Sequence, residues 1–91
     1  MLYSALISPF GKNMGAVFMI VSTAKEFGAA IRARRKERGL TQAALAEFTG
    51  FSVSFLSDLE NGKETAEIGK ALYLANLLGL DVELRKRCEA G

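Results

Sequence analysis

The sequence predicts a mainly α fold, a compact helical bundle that carries a short C-terminal β-strand. Helix-capping residues recur along the chain, and each is followed by a run of helix-forming residues and then by glycine or asparagine. Apolar residues in these runs recur at three- and four-residue spacing, which is typical of helices with one buried face. Near the C-terminus the spacing changes to the two-residue alternation of a strand. A chain of 91 residues has the length of a single domain.

The first predicted helix begins after Thr23 and ends at Gly39. Thr23 can cap the helix, and Glu26 three residues later completes a capping box. Phe27 and Ile31 are spaced four residues apart and form the inward stripe. We expect this helix to be the scaffold for the elements that follow it.

The same helix carries a concentration of positive charge. Between residues 25 and 38 the chain has six basic residues and two acidic ones, a local excess of four. The basic residues are Lys25, Arg32, Arg34, Arg35, Lys36 and Arg38. Such a run indicates either a solvated helix face or a surface for an anionic partner. The formal charge of +2 for the whole chain does not decide between the two.

Residues 39–63 predict two short helices joined by a tight turn. Thr41 is a favourable N-cap, and residues 42–48 are mostly good helix formers. Gly50 supplies the positive φ that a helix C-terminus often needs, and Ser52 can cap the second helix. In that helix Leu56 and Leu59 are spaced to face inward.

The outer face of the second helix is small and polar. Ser54 and Asp58 are four residues apart on the side opposite the leucines. Asn61 and Gly62 then give a turn signal that ends the helix. Two short helices, a glycine-containing turn and a small polar outer face are typical of the helix-turn-helix, whose second helix enters the DNA major groove.

The spacing of these residues closely resembles the phage-repressor-like (Xre-type) helix-turn-helix domain over roughly residues 24–80. The residues that carry the resemblance are Gly39, Leu40, Thr41, Gln42, Leu45, Ala46, Gly50, Ser52, Leu59, Glu60, Asn61, Gly62 and Lys63. Their combined spacing is far more specific than any one short motif among them.

Gln42 and the start of the second helix are the expected DNA contacts. Gln42 begins the first helix of the pair and can donate to a phosphate oxygen, assisted by the helix dipole. In the family the start of the second helix meets base edges, and the matching positions here are Ser52, Val53 and Ser54, then Asp58 one turn later. None is a strong bidentate reader, so we expect DNA shape or water to supply part of the specificity. Asp58 either accepts from cytosine N4 or has a solvent or capping role.

The resemblance also implies contacts to the DNA backbone. Asn61 and Lys63 match loop positions that meet the backbone in the family, while Phe55 is expected to pack against the scaffold or a sugar. Arg35 and Glu60 match a family ion pair that joins two helices and aims the arginine at the DNA backbone. The predicted DNA-binding residues are therefore Arg35, Thr41, Gln42, Ser52, Val53, Ser54, Phe55, Asp58, Asn61 and Lys63.

A further helix is predicted over residues 66–78. Thr65 would cap it, and Gly79 would end it. The predicted core stripe consists of Ile68, Leu72, Ala75 and Leu78. Because Leu74, Leu77 and Tyr73 make the helix apolar over more than one face, either the core is thick or a partner subunit covers the second face.

Residues 80–87 alternate in the manner of a half-buried strand, with Leu80, Val82 and Leu84 on one side. A single strand needs a partner for its backbone, either residues 16–21 of the same chain or a strand of a second chain. We expect residues 1–15 to be an extension with little structure and residues 16–91 to form the helix-turn-helix domain.

The capped helix that starts STAKEFGAAIR, the GLTQ segment and the closing LGLDVEL segment resemble the HipB-like antitoxins. These are small dimeric repressors whose subunits are joined partly through a terminal β element. The resemblance implies an autoregulating antitoxin that binds an inverted-repeat operator as a homodimer, with a HipA-like kinase toxin as partner. A stand-alone Xre-type repressor without a toxin, and an interaction module that has lost DNA binding, are the alternatives.

The sequence excludes several kinds of chemistry. A single cysteine, Cys88, and the absence of histidine exclude an internal disulfide, a Cys/His zinc site and histidine catalysis. No phosphate-cradling glycine loop and no base for a nucleophile are present, so neither an enzyme nor a cofactor is predicted. The apolar N-terminal segment is too short and interrupted to span a bilayer, and we expect a cytoplasmic protein.

Overall fold

The computed structural model describes residues 19–87, which contain four helices and no strand. Helix α1 comprises Ala24–Glu37, α2 comprises Gln42–Thr49, α3 comprises Val53–Glu60, and α4 comprises Ile68–Leu77. The α2–turn–α3 unit is the predicted helix-turn-helix, and α1 and α4 complete the helical bundle around it. None of the helices within residues 19–87 has both the length and the apolar character needed to cross a membrane.

The predicted caps of the first three helices are confirmed. The Thr23 Oγ1 accepts from the Glu26 N–H, the Thr41 Oγ1 from the Ala44 N–H, and the Ser52 Oγ from the Phe55 N–H, each at 3.0 Å. The capping box differs in one detail, because the Glu26 carboxylate accepts from the N–H of Ser22 rather than from that of Thr23. Gly50, at φ 83°, ends α2 in the left-handed conformation, as expected.

The core is formed by apolar side chains from all four helices. Its buried members are Ile31, Leu45, Leu56, Leu59, Ala71, Leu74, Ala75 and Leu78. Leu56 and Leu59 are inward, as the spacing in α3 predicts, and Phe27 packs at the edge of the cluster. Full burial of one such leucine or isoleucine contributes about 1.5–3 kcal/mol, so this cluster is the main source of the stability of the bundle.

Helices α1 and α3 approach each other closely at Gly28. A Cβ at this position would overlap the backbone carbonyl oxygens of Leu59 and Glu60. The sequence pattern indicates no role for this glycine. Its role is to let the backbone of α1 lie directly against the last turn of α3, which fixes where the second helix of the helix-turn-helix points.

The predicted bounds of the last helix are wrong. Helix α4 starts at Ile68 rather than at residue 66, and Thr65 lies in the preceding turn. The residue at the N-cap is Glu67, whose side chain makes no capping hydrogen bond.

The predicted core stripe of α4 is also partly wrong. Ile68 is 73% exposed and Leu72 is 38% exposed, whereas Ala71 and Leu74 are buried with Ala75 and Leu78. The small side chains of Ala71 and Ala75 allow this face of α4 to pack closely on the core, and Ile68 and Leu72 then lie on the side toward solvent. Periodicity could not select this face because α4 is apolar on several sides.

Residues 80–87 form neither a helix nor a strand in the single chain. Leu80 packs against the core, but Val82 is 49% exposed and Leu84 is 96% exposed. A strand requires a neighbouring backbone, and no segment within residues 19–87 supplies one. The pairing of this segment therefore stays a prediction. The extension over residues 1–15, Cys88 and residues 16–18 of the alternative partner strand lie outside the described residues, and residues 19–21 form no strand.

Candidate nucleic-acid interface

The outward side of α3 carries the residues predicted to meet base edges. Val53 is 44% exposed, and Ser52, Ser54 and Asp58 are also exposed. The Ser52 oxygen accepts from the backbone of α3, which leaves its O–H group free to donate outward. All four side chains are therefore accessible from solvent.

Asp58 has a nearby counter-charge that the sequence analysis did not predict. The Nζ atom of Lys63 lies 3.5 Å from the Asp58 Oδ2 atom, and both side chains are about half exposed. An exposed pair of this kind contributes about 0–1 kcal/mol to stability. Its larger effect is electrostatic, because the ammonium offsets the negative charge of the Asp58 carboxylate on this side of α3.

The predicted ion pair between Arg35 and Glu60 is confirmed. The Arg35 Nε donates to Glu60 Oε2 at 2.7 Å, and Nη2 donates to Oε1 at 2.9 Å. The two side chains are 8% and 2% exposed. Arg35 Nη1 also donates to the backbone carbonyl of Leu40 at 2.8 Å, so the guanidinium binds the segment that leads into α2.

Gln42 joins the same network. Its Nε2 atom donates to Glu60 Oε1 at 3.0 Å, and the side chain is half-buried. Glu60 therefore connects α1 through Arg35 and the start of α2 through Gln42 to its own position at the end of α3. We call Arg35, Gln42 and Glu60 the polar hub.

The hub shifts the pKa values of both of its charged groups. Burial of Glu60 raises its pKa, but the hydrogen bonds from Arg35 and Gln42 and the charges of Arg35 and Arg32 outweigh burial and hold the pKa below its ordinary value. The hydrogen bond to Glu60 raises the pKa of Arg35, against the opposing effect of burial. Both groups are therefore charged at neutral pH, as a buried bidentate pair requires.

The position of Arg35 limits what it can contact. Three of its five N–H groups are bonded to Glu60 and Leu40, and the side chain is almost fully buried. In this conformation the Arg35 side chain is therefore not positioned to contact DNA, and that contact stays a prediction. The geometry makes it a residue that positions α2 and α3 relative to each other.

Phe55 packs inside an aromatic cluster, as expected from its place on the flank of α3. Its ring meets Phe51 edge to face at 5.2 Å between centroids, and Phe51 meets Tyr73 of α4 at 5.9 Å. The ammonium of Lys70 lies 5.4 Å from the centroid of Phe55 and 5.6 Å from that of Phe51. The cluster ties the start of α3 to α4, a link that sequence spacing did not indicate because Lys70 and Tyr73 are far from Phe51 and Phe55 in the chain.

The basic run of α1 divides into two groups with different surroundings. Arg34 Nε and Arg38 Nη1 both donate to the Leu78 carbonyl at the end of α4, at 2.8 and 3.2 Å. Together with Arg35, these arginines hold the bundle together. Lys25, Arg32 and Lys36 are exposed, and none of them forms an ion pair within residues 19–87.

Of the remaining predicted residues, Thr41 and Asn61 are exposed at the start of α2 and the end of α3.

Two capped helices, a left-handed glycine turn and a polar face held by a buried ion pair define a helix-turn-helix DNA-binding domain.

Comparison with known proteins agrees with this class. The model described as "Helix-turn-helix domain" matches residues 26–88, and the chain belongs to this family. An uncharacterized HTH-type transcriptional regulator, y4mF, from Sinorhizobium fredii is 41% identical over 64 residues, which are 70% of this chain and 84% of that protein. The immunity repressor protein of Bacillus phage phi105 is 40% identical over 55 residues, 60% of this chain and 38% of the repressor. The chain is thus a repressor-like helix-turn-helix regulator of the Xre-like type.

A solved structure described as a HipB-O4 20mer complex has a similar fold. The match has a TM-score of 0.67 at 23% sequence identity, and it covers 81% of this chain and 100% of that one. The HipB-like fold expected from the sequence is therefore confirmed.

Proposed function

We propose that the chain is a sequence-specific repressor that binds an inverted-repeat operator as a homodimer, with α3 of each subunit in the major groove. The observation that carries this proposal is the exposed polar face of α3, held in place by the polar hub at its end. A recognition helix gains affinity when its orientation is fixed before binding, because less freedom is lost on association.

The residues have distinct roles in this proposal. Ser52, Val53 and Ser54 lie at the start of α3 and meet base edges, with the Val53 methyl groups suited to a thymine methyl. Asn61 and Lys63 follow α3 and bind the DNA backbone. Serine hydroxyls discriminate weakly between bases, so the geometry and flexibility of the operator add to the selectivity.

The start of α2 is the second backbone anchor in the proposal. Gln42 gives one N–H of its amide to Glu60 and retains another for a phosphate oxygen. Thr41, as N-cap, lies where the positive end of the helix dipole favours an anion. Arg35 acts through this anchor, since it holds the Leu40 carbonyl just before it.

Dimerisation is supported by the segment over residues 80–87. Val82 and Leu84 are apolar residues of an alternating segment and lie exposed in the single chain. Pairing of this segment with its copy across a two-fold axis would bury them and satisfy the strand backbone. The two recognition helices would then bind half-sites about one helical turn apart, roughly 34 Å.

The finer proposal is that the repressor is the antitoxin of a HipA-like kinase toxin and controls its own promoter. The HipB-like fold and the alternating C-terminal segment support it. The similarity to a phage immunity repressor supports the alternative, a stand-alone regulator without a toxin. A neighbouring gene for a kinase-like protein distinguishes the two.

The test is recovery of genomic DNA fragments by the full chain, followed by sequencing and footprinting. We expect enrichment of the region upstream of its own gene, with an inverted repeat protected. Ser54→Ala should weaken binding to the repeat more than to random DNA, while Asn76→Ala, at an exposed position on α4, should bind as the unaltered chain does. Failure to enrich any sequence over random fragments would refute the repressor proposal.

The antitoxin role needs a separate experiment. The chain is purified at its native level of expression, and the proteins retained with it are identified by mass spectrometry. Recovery of a kinase-like protein in a stable complex supports the antitoxin. Recovery of the chain alone, still bound to its promoter, favours the stand-alone repressor.

A further inference from the structure

A shallow groove of about 300 Å³ follows α1 where this helix meets the C-terminal end of α3. Lys25, Arg32 and Lys36 line it, at seven- and four-residue intervals that place them along one face of the helix. Ala29 and Ala33 lie between these cations. Their short side chains leave the space between the basic groups open.

The groove has a positive charge that the protein itself does not neutralise. Lys25, Arg32 and Lys36 are solvent-exposed, and no ion pair involves them in the part of the chain that the structure describes. The acidic side chain in the groove wall is Glu60, whose two oxygens already accept from Arg35. Three exposed cations beside one compensated carboxylate form a surface suited to an anionic ligand.

The groove is continuous with the turn that follows the recognition helix. Asn61 forms part of its wall. A Cβ at Gly62 would lie 2.8 Å from the Cα of Lys25, so the first turn of α1 packs directly on this turn of the chain. Lys63 is the next residue. Asn61 and Lys63 are expected to contact the DNA backbone. The cations of α1 therefore lie next to these two residues and enlarge the same surface.

We propose that this groove binds backbone phosphates of DNA adjacent to the bases read by α3. The proposal rests on the proposed function and adds to it a second backbone-binding surface, on a helix outside the helix-turn-helix. Lys25 and Lys36 act as point charges, while Arg32 can donate two parallel hydrogen bonds to one phosphate.

The length of the row formed by Lys25, Arg32 and Lys36 favours a polyanion over a single small anion. Residues 25 to 36 are eleven positions apart, which corresponds to about 16 Å along a helix at roughly 1.5 Å per residue. Phosphates of one DNA strand follow each other every ~3.4 Å of helix axis. The row is therefore long enough to meet more than one successive phosphate.

The test compares the salt dependence of DNA binding. Arg32→Gln is combined with Lys36→Gln, and affinity is measured between low and moderate salt on two probes: the duplex recovered from the promoter region and a random-sequence duplex of about 40 base pairs. The slope of log affinity against log salt falls by about one for each phosphate that the protein no longer neutralises. We expect weaker binding to both probes by a similar factor and a shallower slope.

The control makes the same change in net charge elsewhere. Gly69→Glu combined with Asn76→Glu lowers the net charge equally, at exposed positions of α4 that are assigned neither to DNA nor to the dimer. Sedimentation confirms that the compared proteins have the same oligomeric state. A second variant, Arg32→Lys with Lys36→Arg, retains the charge of the groove and should retain most of the affinity and the slope.

Ethylation interference gives an independent readout. Ethylation of the phosphates that bind in the groove should impair binding of the unaltered chain and have no effect on the glutamine variant. An unchanged slope and interference pattern in that variant, or a change no larger than in the control, would overturn the proposal. An acidic protein that binds the unaltered chain but not the glutamine variant, while DNA binding stays normal in both, would also overturn it. Lack of DNA binding by the unaltered chain would instead count against the proposed function.

Discussion

The guanidinium of Arg35 and the carboxylate of Glu60 face each other through two parallel hydrogen bonds, and both side chains are more than nine-tenths buried. This pair joins the scaffold helix to the last turn of the recognition helix. Removing one partner leaves the other charge buried without compensation, which costs more than the pair itself contributes.

Arg35→Ala should therefore destabilise the fold by about 3–5 kcal/mol and weaken DNA binding on every sequence. Urea denaturation measures the first effect, and binding to random and promoter duplexes measures the second. The double variant Arg35→Met with Glu60→Leu should regain most of the stability. If Arg35 acts by positioning, affinity returns with stability, whereas affinity that stays low in a stable double variant would show a direct phosphate contact. Unchanged affinity of Arg35→Ala across a salt titration would contradict both roles.

Stability should fall in acid because of Glu60. The pKa of this carboxyl is lowered in the folded state from its ordinary value of 4.5, so the folded protein binds fewer protons than the unfolded chain in this range. The contribution is fully present above 4.5 and is lost as the pH falls through the lower, folded-state value. Denaturation at a series of pH values should show a steeper decline for the unaltered chain than for Glu60→Gln. Parallel curves for the two proteins would disprove this assignment.

Gly28→Ala should be strongly destabilising, because the added methyl group overlaps two backbone carbonyls that cannot move independently of α3. Overpacking of this kind costs about 1–3 kcal/mol and sometimes more. Gly69→Ala is a matched control, since a Cβ at that helical position meets open space. It should stabilise the chain by about 0.4–1 kcal/mol. Equal thermal midpoints for the two variants would contradict the close approach of α1 and α3.

Leu84→Lys should convert the proposed dimer to a monomer without unfolding the bundle. Leu84 is 96% exposed in the single chain, so the substitution leaves the packing of the helical core intact. Sedimentation at micromolar concentration measures the change in oligomeric state. Operator affinity should fall because a monomer contacts half as many DNA phosphates as a dimer does. Asn76→Lys changes the charge equally at an exposed position on α4 and serves as the control. A Leu84→Lys protein that remains dimeric would place the subunit interface elsewhere.

The features that local chemistry determines were predictable from the sequence. Thr41, Gly50 and Ser52 set the ends of their helices through hydrogen bonds and φ values that span only a few residues. The pairing of Arg35 with Glu60 is a long-range contact, and it was predictable because a family resemblance supplied it.

Features that depend on packing were not predictable in the same way. The face that α4 buries is selected by what lies opposite, and several of its faces are apolar. Nothing in the neighbours of Gly28 indicates that another helix touches it. Arg34 and Arg38 differ from the exposed cations of α1 because they donate to the Leu78 carbonyl. That carbonyl is 44 and 40 residues away from them in the chain, so local sequence does not indicate the contact.

The shared attachment of Arg34 and Arg38 to Leu78 has a consequence for the spacing of operator half-sites. Both guanidinium groups hold the carbonyl that precedes Gly79, where the chain leaves the bundle. In the proposed dimer, the segment over residues 80–87 therefore starts from a point that is fixed relative to α1. Because Gly28 and the polar hub hold α1 against α3, that point is also fixed relative to α3. In that dimer the two arginines, which are not among the predicted DNA-contacting residues, would help to set the distance between the two α3 helices.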